Sequence, residues 1–188
     1  MSMQIVDTKI DGCKILIPHI HIDKRGSFLE IWNSQTFLEI GVKCNFVQDN
    51  ISTSSKGVLR GLHTQMKYPQ AKMVSCLHGV IFDVVVDCRP GSPSFGMWHG
   101  EILSHENHKQ LFVPKGVAHG FYIIEEAMVH MKVTTHYTPG DEIGFKWDDK
   151  SIGIDWPLNC DSRPILAEKD KNWGDFNEMM ILLERYRT

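Results

Sequence analysis

Short segments rich in β-branched and aromatic residues follow one another along most of the chain. They recur about every 8 to 14 residues, and turn signals rich in proline and glycine separate them at 90–93, 114–116 and 139–141. Many short strands at regular spacing are typical of an all-β sandwich or barrel. The pattern therefore predicts a mostly β fold.

Two segments have helical patterns instead. Residues 33–41, NSQTFLEIG, open with capping residues and close on glycine. Residues 175–187 place apolar side chains, Phe176 and Leu183 among them, at helical spacing, which predicts an amphipathic C-terminal helix. No repeat or linker interrupts the 188 residues, so we expect one domain over 1–188 with peripheral helices.

Composition argues against several classes of protein. A formal net charge of −3 provides no basic field for a nucleic acid. The 5 cysteines form no CxxC pair, which favours reduced thiols in a cytoplasm. No apolar run approaches the roughly 20 residues of a membrane span, and the start lacks the apolar region of a signal peptide. We expect a cytoplasmic protein without nucleic-acid or membrane partners.

Residues 57–65, GVLRGLHTQ, place Arg60 and His63 in one predicted strand, with Lys72 a few residues further on. Strict alternation puts Arg60 and His63 on opposite faces, because they are an odd number of positions apart. Gly61 permits a bulge that re-aims one of the two side chains. The sequence leaves both arrangements open.

Residues 114–121, PKGVAHGF, have the P-x-G-x-x-H form typical of the second motif of cupin barrels. Metal-binding cupins usually add an H-x-H pair and a glutamate from an earlier strand, but His63 is followed by Gln65 and then Lys72. A lysine has the wrong charge for a divalent ion. The pair His19 and His21 lacks the rest of the pattern. We therefore expect no metal and no other cofactor.

A metal-free pocket with histidine, arginine and lysine suits an anionic substrate and a proton transfer. Arginine matches a phosphate or diphosphate, and lysine can steady an enolate oxygen. Neutral histidine can take a proton near neutral pH. These residue types indicate proton abstraction next to a carbonyl.

Eight segments between residue 23 and about residue 170 carry a more specific signal. In order they are DKRGSFLEIW, FVQDNIS, KGVLRGLHTQ, AKMVSCLHGVIFDVVVDCRPGSPSFGMW, VPKGVAHGF, EIGFKWDD, IGIDWP and ILAEKD. With them the chain resembles the dTDP-4-dehydrorhamnose 3,5-epimerase family. The resemblance implies a metal-free, cupin-like jelly-roll barrel that acts on a nucleotide-diphospho-sugar without a cofactor.

The resemblance also implies catalytic roles. His63 would remove a proton alpha to the C4 ketone. Asp170 would accept a hydrogen bond from His63, and Lys72 would stabilise the enolate oxygen. Without the resemblance, Asp170 is more simply an exposed acid, and Lys72 the cap of a strand edge.

Further positions would bind the substrate. Arg60 would bind the diphosphate, with His119 near the same anionic part of the ligand, unless His119 is an ordinary interior histidine. Gln48 and Asn50 would line the nucleotide end, and Tyr137 matches an aromatic residue of the nucleotide pocket.

The N-terminal segment would complete the site of a second subunit. In RGSFLE, the residues Arg25, Phe28 and Glu30 would reach into the neighbouring site, because members of the family form homodimers that exchange N-terminal strands. Phe28 could equally belong to the core.

One position departs from the family pattern. The family normally supplies a tyrosine as the acid on the face opposite the histidine. Aligned on Lys132 and Tyr137, that position is Met131. Alternation places Met131 with the apolar, inward set that includes Val129 and Val133. A thioether has no proton to donate.

Two interpretations follow. Inversion is confined to one carbon, C3, with water or another group returning the proton, or an acid such as Tyr122 completes both inversions. The first is favoured. The second would be a full 3,5-epimerase of the rhamnose type. The missing tyrosine also suggests a non-standard sugar, such as a GDP-linked 4-keto-6-deoxyheptose for a bacterial capsule or lipopolysaccharide.

Three other functions compete with epimerisation. A metal-dependent cupin oxygenase would hold iron or zinc. A sugar-binding module would have lost catalysis, which retention of His63 and Asp170 disfavours. A 3,4-ketoisomerase on the same barrel would also need a histidine base.

Overall fold

The structure, a computed structural model, describes residues 3–158 and 163–185. The strands are β1 (Gln4–Asp7), β2 (Lys14–Ile17), β3 (Ile20–Asp23), β4 (Gly26–Leu29), β5 (Gln48–Ser54), β6 (Leu59–Gln65), β7 (Lys72–Asp87), β8 (Trp98–Ser104), β9 (Gln110–Val113), β10 (Val117–Val133) and β11 (Glu142–Gly144). The helices are α1 (Ser34–Glu39), α2 (Glu168–Lys171) and α3 (Phe176–Arg185). The predicted mostly β fold with a short N-terminal and a C-terminal helix is confirmed.

Nine strands form one antiparallel sheet system in the order β1-β2-β9-β7-β10-β6-β11. In addition, β5 pairs with β10 and β8 pairs with β7. Strands β3 and β4 form a separate two-stranded ribbon. This is the jelly-roll arrangement expected of a cupin-like barrel, because two long strands take part in both walls.

Those two long strands, β7 and β10, each merge two segments that the sequence predicts as separate strands. The bend in β7 lies at Gly79, whose φ is +76° and whose added Cβ would meet the carbonyl oxygen of Glu126 at 2.0 Å. Only glycine fits such a backbone approach. The register between β7 and β10 shifts at the same place, between Ile123 and Val129. Each of these two strands therefore stays continuous through the bend and takes part in both walls of the barrel.

The inner and outer faces of the barrel have separate apolar cores. The inner cluster contains Val74, Val85, Phe121 and Val129. The outer cluster contains Val84 and the apolar face of α3. Along 79–87 of β7, Val84 and Val86 are fully buried in the outer cluster, whereas Val80 and Phe82 on the same face are only partly buried.

Helix α1 begins where its capping residue predicts. The side chain of Asn33 accepts hydrogen bonds from the backbone N–H groups of Gln35 and Thr36, which satisfies the first turn of α1. The predicted C-terminal helix is confirmed through Arg185, and its last two predicted positions lie outside the described residues. No helix among the described residues is long and apolar enough to cross a bilayer.

Candidate active site

A cavity of about 220 Å³ lies inside the barrel. Most of the residues singled out in the sequence line it, together with several that were not. The lining residues are Asn50, Ser52, Arg60, His63, Gln70, Lys72, His119, Gly120, Phe121, Met131, Val133, Tyr137, Glu142, Ala167, Lys169 and Asp170.

Arg60 and His63 both face this cavity, although they are an odd number of positions apart. In the pairing of β6 with β10, Arg60 lies opposite Phe121 and His63 lies opposite His119. The three-residue interval from Arg60 to His63 on β6 therefore lies opposite a two-residue interval on β10. The extra residue on β6 forms the bulge that Gly61 permits. The bulge decides between the two arrangements that the sequence leaves open.

Two glycines allow this bulge to form. Gly61 has φ +102°, and an added Cβ would lie 2.6 Å from the backbone of His119 and Gly120. An added Cβ on Gly120 would lie 2.6 Å from the carbonyl oxygen of Arg60. The two strands approach too closely for any side chain at either position, so these glycines fix where Arg60 and His63 point.

His63 contacts a different carboxylate from the one expected. Its Nδ1 lies 3.1 Å from Oε1 of Glu142, on the short strand β11 that pairs with β6. Burial, together with the positive charges of Lys72 and Lys169, holds the pKa of His63 well below its usual value. The imidazole is therefore neutral at physiological pH, the form that can accept a proton.

Asp170 lines the cavity but forms no hydrogen bond with His63, so the expected pairing is not found in this structure. Its carboxylate accepts a hydrogen bond from the indole N–H of Trp173 at 3.2 Å. It is also not an exposed acid, because only 3% of its surface is accessible. Burial raises the pKa of Asp170.

Lys72 opens strand β7 and points into the same cavity. Only 9% of its surface is accessible, so it is not an exposed cap of a strand edge. Burial lowers the pKa of Lys72 to about 8, and Lys169 adds to the effect while Glu142 and Asp83 oppose it.

Arg60 and His119 lie on neighbouring strands, as their expected shared role requires. The guanidinium of Arg60 donates hydrogen bonds to Oγ of Ser54 from Nε at 3.1 Å and from Nη2 at 3.0 Å. His119 is 2% accessible, and its Nε2 lies 2.6 Å from Oδ1 of the fully buried Asp83. His119 is thus an interior histidine that also lines the cavity.

The three residues expected at the nucleotide end are linked to one another. Nε2 of Gln48 donates to Oδ1 of Asn50 at 2.8 Å, and Oε1 of Gln48 accepts from the backbone N–H of Tyr137 at 3.0 Å. Asn50 and Tyr137 line the cavity, whereas Gln48 supports them from behind. Tyr137 is 52% exposed, so its ring is available for stacking.

The three N-terminal residues lie outside the cavity. Arg25 and Phe28 belong to the β3–β4 ribbon, where the side chain of Arg25 is 84% exposed and Phe28 is 64% exposed. Phe28 is therefore not a core residue. Glu30 accepts a hydrogen bond from Asn33 at 3.1 Å.

Met131 faces the cavity and packs against the inner apolar cluster, as alternation predicts. Its neighbours across the sheet are Asn50 on β5 and Val74 on β7. Tyr122 points to the other face, where it is 8% exposed within the outer cluster. The suggestion that Tyr122 replaces the missing acid is therefore wrong, because strand alternation turns it away from the cavity.

Three charged residues at or next to the site were not predicted from the sequence. Glu142 and Lys169 form an ion pair on the cavity wall, and the fully buried Asp83 pairs with His119 behind that wall. Glu142 lies in the segment EIGFKWDD and Lys169 in ILAEKD, both of which carry the family resemblance. Membership of these segments could have indicated both residues as site candidates. Across residues 3–158 and 163–185, no group of three or more His, Cys, Asp or Glu side chains is close enough to hold a metal ion.

Comparisons with known proteins agree on one family. The model of the family described as dTDP-4-dehydrorhamnose 3,5-epimerase matches residues 7–178. The chain is 45% identical over 183 residues to the dTDP-4-dehydrorhamnose 3,5-epimerase of Methanothermobacter thermautotrophicus, with coverage of 97% of this chain and 99% of the relative.

Solved structures agree in fold. The epimerase from Legionella pneumophila Philadelphia 1, in complex with dTDP-4-keto-L-rhamnose, superposes with a TM-score of 0.92 at 44% identity over 97% of each chain. The 3'-monoepimerase ChmJ from Streptomyces bikiniensis, in complex with dTDP-quinovose, superposes with a TM-score of 0.84 at 30% identity, covering 95% of this chain and 88% of that one.

Proposed function

The chain belongs to the dTDP-4-dehydrorhamnose 3,5-epimerase family, and on that premise we propose that it epimerises a nucleotide-linked 4-keto-6-deoxy sugar. The reaction begins with removal of a proton alpha to the C4 ketone. The observation that carries this proposal is His63, a neutral imidazole inside a cavity that also holds ammonium and guanidinium groups. A base, a lysine ammonium for the enolate and an arginine for the diphosphate thus line one cavity.

His63 is the base of this reaction. When it takes the proton it becomes an imidazolium, and the carboxylate of Glu142, 3.1 Å away, stabilises that charge. Asp170 lines the same cavity, where its carboxylate accepts a hydrogen bond from Trp173.

Lys72 stabilises the enolate oxygen that forms at C4. Its ammonium group is a compact charge in a site shielded from water, where electrostatic stabilisation is strongest. Arg60 and His119 bind the diphosphate, and Asn50 and Tyr137, supported by Gln48, bind the nucleotide.

The reaction can invert both C3 and C5, or C3 alone. The names of the relatives favour inversion at both C3 and C5, since they are 3,5-epimerases. A specific observation favours the second candidate, inversion at C3 alone: Met131 lines the cavity at the position of the family's tyrosine acid. A 3'-monoepimerase of similar fold, ChmJ, provides a precedent for that product.

We also propose that two copies of the chain complete each other's sites. The β3–β4 ribbon projects Arg25 and Phe28 into solvent, and an exposed aromatic side chain beside an arginine suits contact with a nucleotide. Light scattering tests this assembly: a dimer supports it, and a monomer contradicts the exchange of N-terminal strands.

Incubation in D2O tests the reaction. The enzyme is given dTDP-linked and GDP-linked 4-keto-6-deoxy hexoses, and the GDP-linked heptose, and deuterium at C3 and C5 is followed by NMR. Deuterium with inversion at C3 is expected, and it is lost in His63→Ala. Inversion at both carbons selects the full 3,5-epimerase. Migration of the ketone to C3, or a requirement for stoichiometric iron or zinc, contradicts the proposal.

A further inference from the structure

Lys72 is a buried ammonium group without a protein partner in the part of the chain that the structure describes. It is 9% accessible and lines the cavity, and no carboxylate or carbonyl oxygen of the described residues lies within hydrogen-bond or ion-pair distance of its Nζ. Burying an unpaired charge is costly. A buried charge that is retained despite this loss of stability is a candidate for a role in catalysis.

The strand register places Lys72 beside Met131. On the inner face of β10, Met131 pairs with Val74 of β7, and the next inward residue, Val133, pairs with Lys72. Lys72 is therefore the diagonal neighbour of Met131. Its long, flexible side chain starts from the same part of the wall as the position where the family has its tyrosine acid.

Five other titratable groups that line the cavity are paired, hydrogen-bonded or far from Met131 in strand register. Lys169 is paired with Glu142, and His119 with Asp83. The carboxyl group of Asp170 accepts from Trp173. His63 lies on β6, which pairs with the N-terminal half of β10, whereas Met131 lies in its C-terminal half.

The protonation behaviour of Lys72 suits an acid near neutral pH. Its pKa is lowered by burial to about 8, so the group is charged at pH 7 and releases a proton far more readily than an exposed lysine. Arginine would not, because a guanidinium stays protonated in proteins.

We propose, resting on the proposed function, that Lys72 is the acid that returns the proton to C3 on the face away from His63. His63 takes the proton from C3, and the electron pair of the broken C3–H bond forms the C3=C4 double bond of the enolate. The enolate then re-forms the ketone as C3 takes a proton from the ammonium of Lys72, which becomes a neutral amine. The imidazolium of His63 loses its proton to solvent and the amine of Lys72 regains one.

The matched set of variants is Lys72→Arg, Met131→Tyr, the two combined, and the exposed control Lys150→Arg, each incubated with substrate in D2O. Lys72→Arg keeps the positive charge beside the enolate, so deuterium still enters C3 through His63, at a rate lowered less than about tenfold. The inverted product falls about a hundredfold, because the acid is missing. The combined variant regains inversion through its tyrosine, and Lys150→Arg behaves as the wild type.

The outcomes separate this proposal from the proposed function. Absence of exchange in the wild type contradicts the function itself. Normal inversion in Lys72→Arg, a parallel loss of exchange and inversion, or failure of the combined variant to regain inversion each overturns the role of Lys72 alone.

The pH dependence of the wild type provides a second measurement that needs no variant. If Lys72 is the acid, the ratio of inversion to exchange falls as the pH rises through about 8, where its ammonium loses its proton. A ratio that stays constant through this range overturns the proposal.

Discussion

Nδ1 of His63 lies 3.1 Å from a carboxylate oxygen of Glu142, and this contact joins strands β6 and β11 on the cavity wall. A carboxylate at that distance favours the imidazolium that forms when His63 accepts a proton. Glu142 is also paired with Lys169, which holds its carboxylate in place. Glu142 therefore provides the negative charge next to the imidazolium of His63, the role that was expected of Asp170.

The first prediction concerns this contact. In Glu142→Gln the amide cannot compensate the imidazolium, so we expect the rate of deuterium entry at C3 to fall roughly tenfold. The exposed residue Glu184 on α3 provides the control, Glu184→Gln, which leaves the rate unchanged. An unchanged rate in Glu142→Gln would show that the contact has no part in proton transfer.

The second prediction is the pH profile of exchange at C3. The pKa of His63 is held well below its usual value, so the base stays neutral and exchange persists as the pH falls below 6.5. On the alkaline side, Lys72 loses its charge near pH 8, so stabilisation of the enolate declines there. An acidic limb at or above pH 6.5 would contradict the environment found for His63.

The third prediction concerns the backbone at Gly61. A methyl group there meets the backbone of the neighbouring strand at 2.6 Å in a left-handed conformation, so Gly61→Ala displaces both Arg60 and His63. We expect a loss of about 2 kcal/mol or more in the free energy of unfolding, together with most of the activity.

Gly91→Ala is the matched control for that variant. Gly91 also has a positive φ, +81°, but an added Cβ meets nothing within 4 Å. Thermal unfolding compares the two variants. Equal losses of stability would mean that the backbone conformation alone, without the close approach of the strands, explains the effect.

The fourth prediction is that Lys72→Met stabilises the fold while it abolishes activity. The pKa of Lys72 is about 8 in the folded protein against its ordinary 10.5, so the charged form is disfavoured by about 3 kcal/mol at pH 7. The unfolded state binds more protons between these two values, so the wild type gains stability as the pH rises through them. The advantage of Lys72→Met is therefore largest below pH 8 and disappears above about pH 10.5. Urea unfolding at pH 7 and at pH 10.5 measures it.

Much of the fold was determined by the sequence itself. The spacing of the strand segments predicted the mostly β barrel, since alternation and turn signals are local properties. The capping residue Asn33 and the apolar spacing of 175–187 predicted α1 and α3, whereas the short helix α2 was not predicted. The inward position of Met131 followed from alternation alone, because the strand is regular there.

Only the tertiary structure decided how the charged side chains meet. Arg60 and His63 share the cavity because two glycines let β6 and β10 approach within a bulge, which no single-strand pattern specifies. Glu142 contacts His63, and Asp170 instead contacts Trp173, because the pairing of β11 with β6 and the position of α2 fix those distances. The residue types determine which chemistry is available to this chain, and long-range packing determines which groups perform it, since contacts between distant segments depend on backbone geometry that local sequence does not encode.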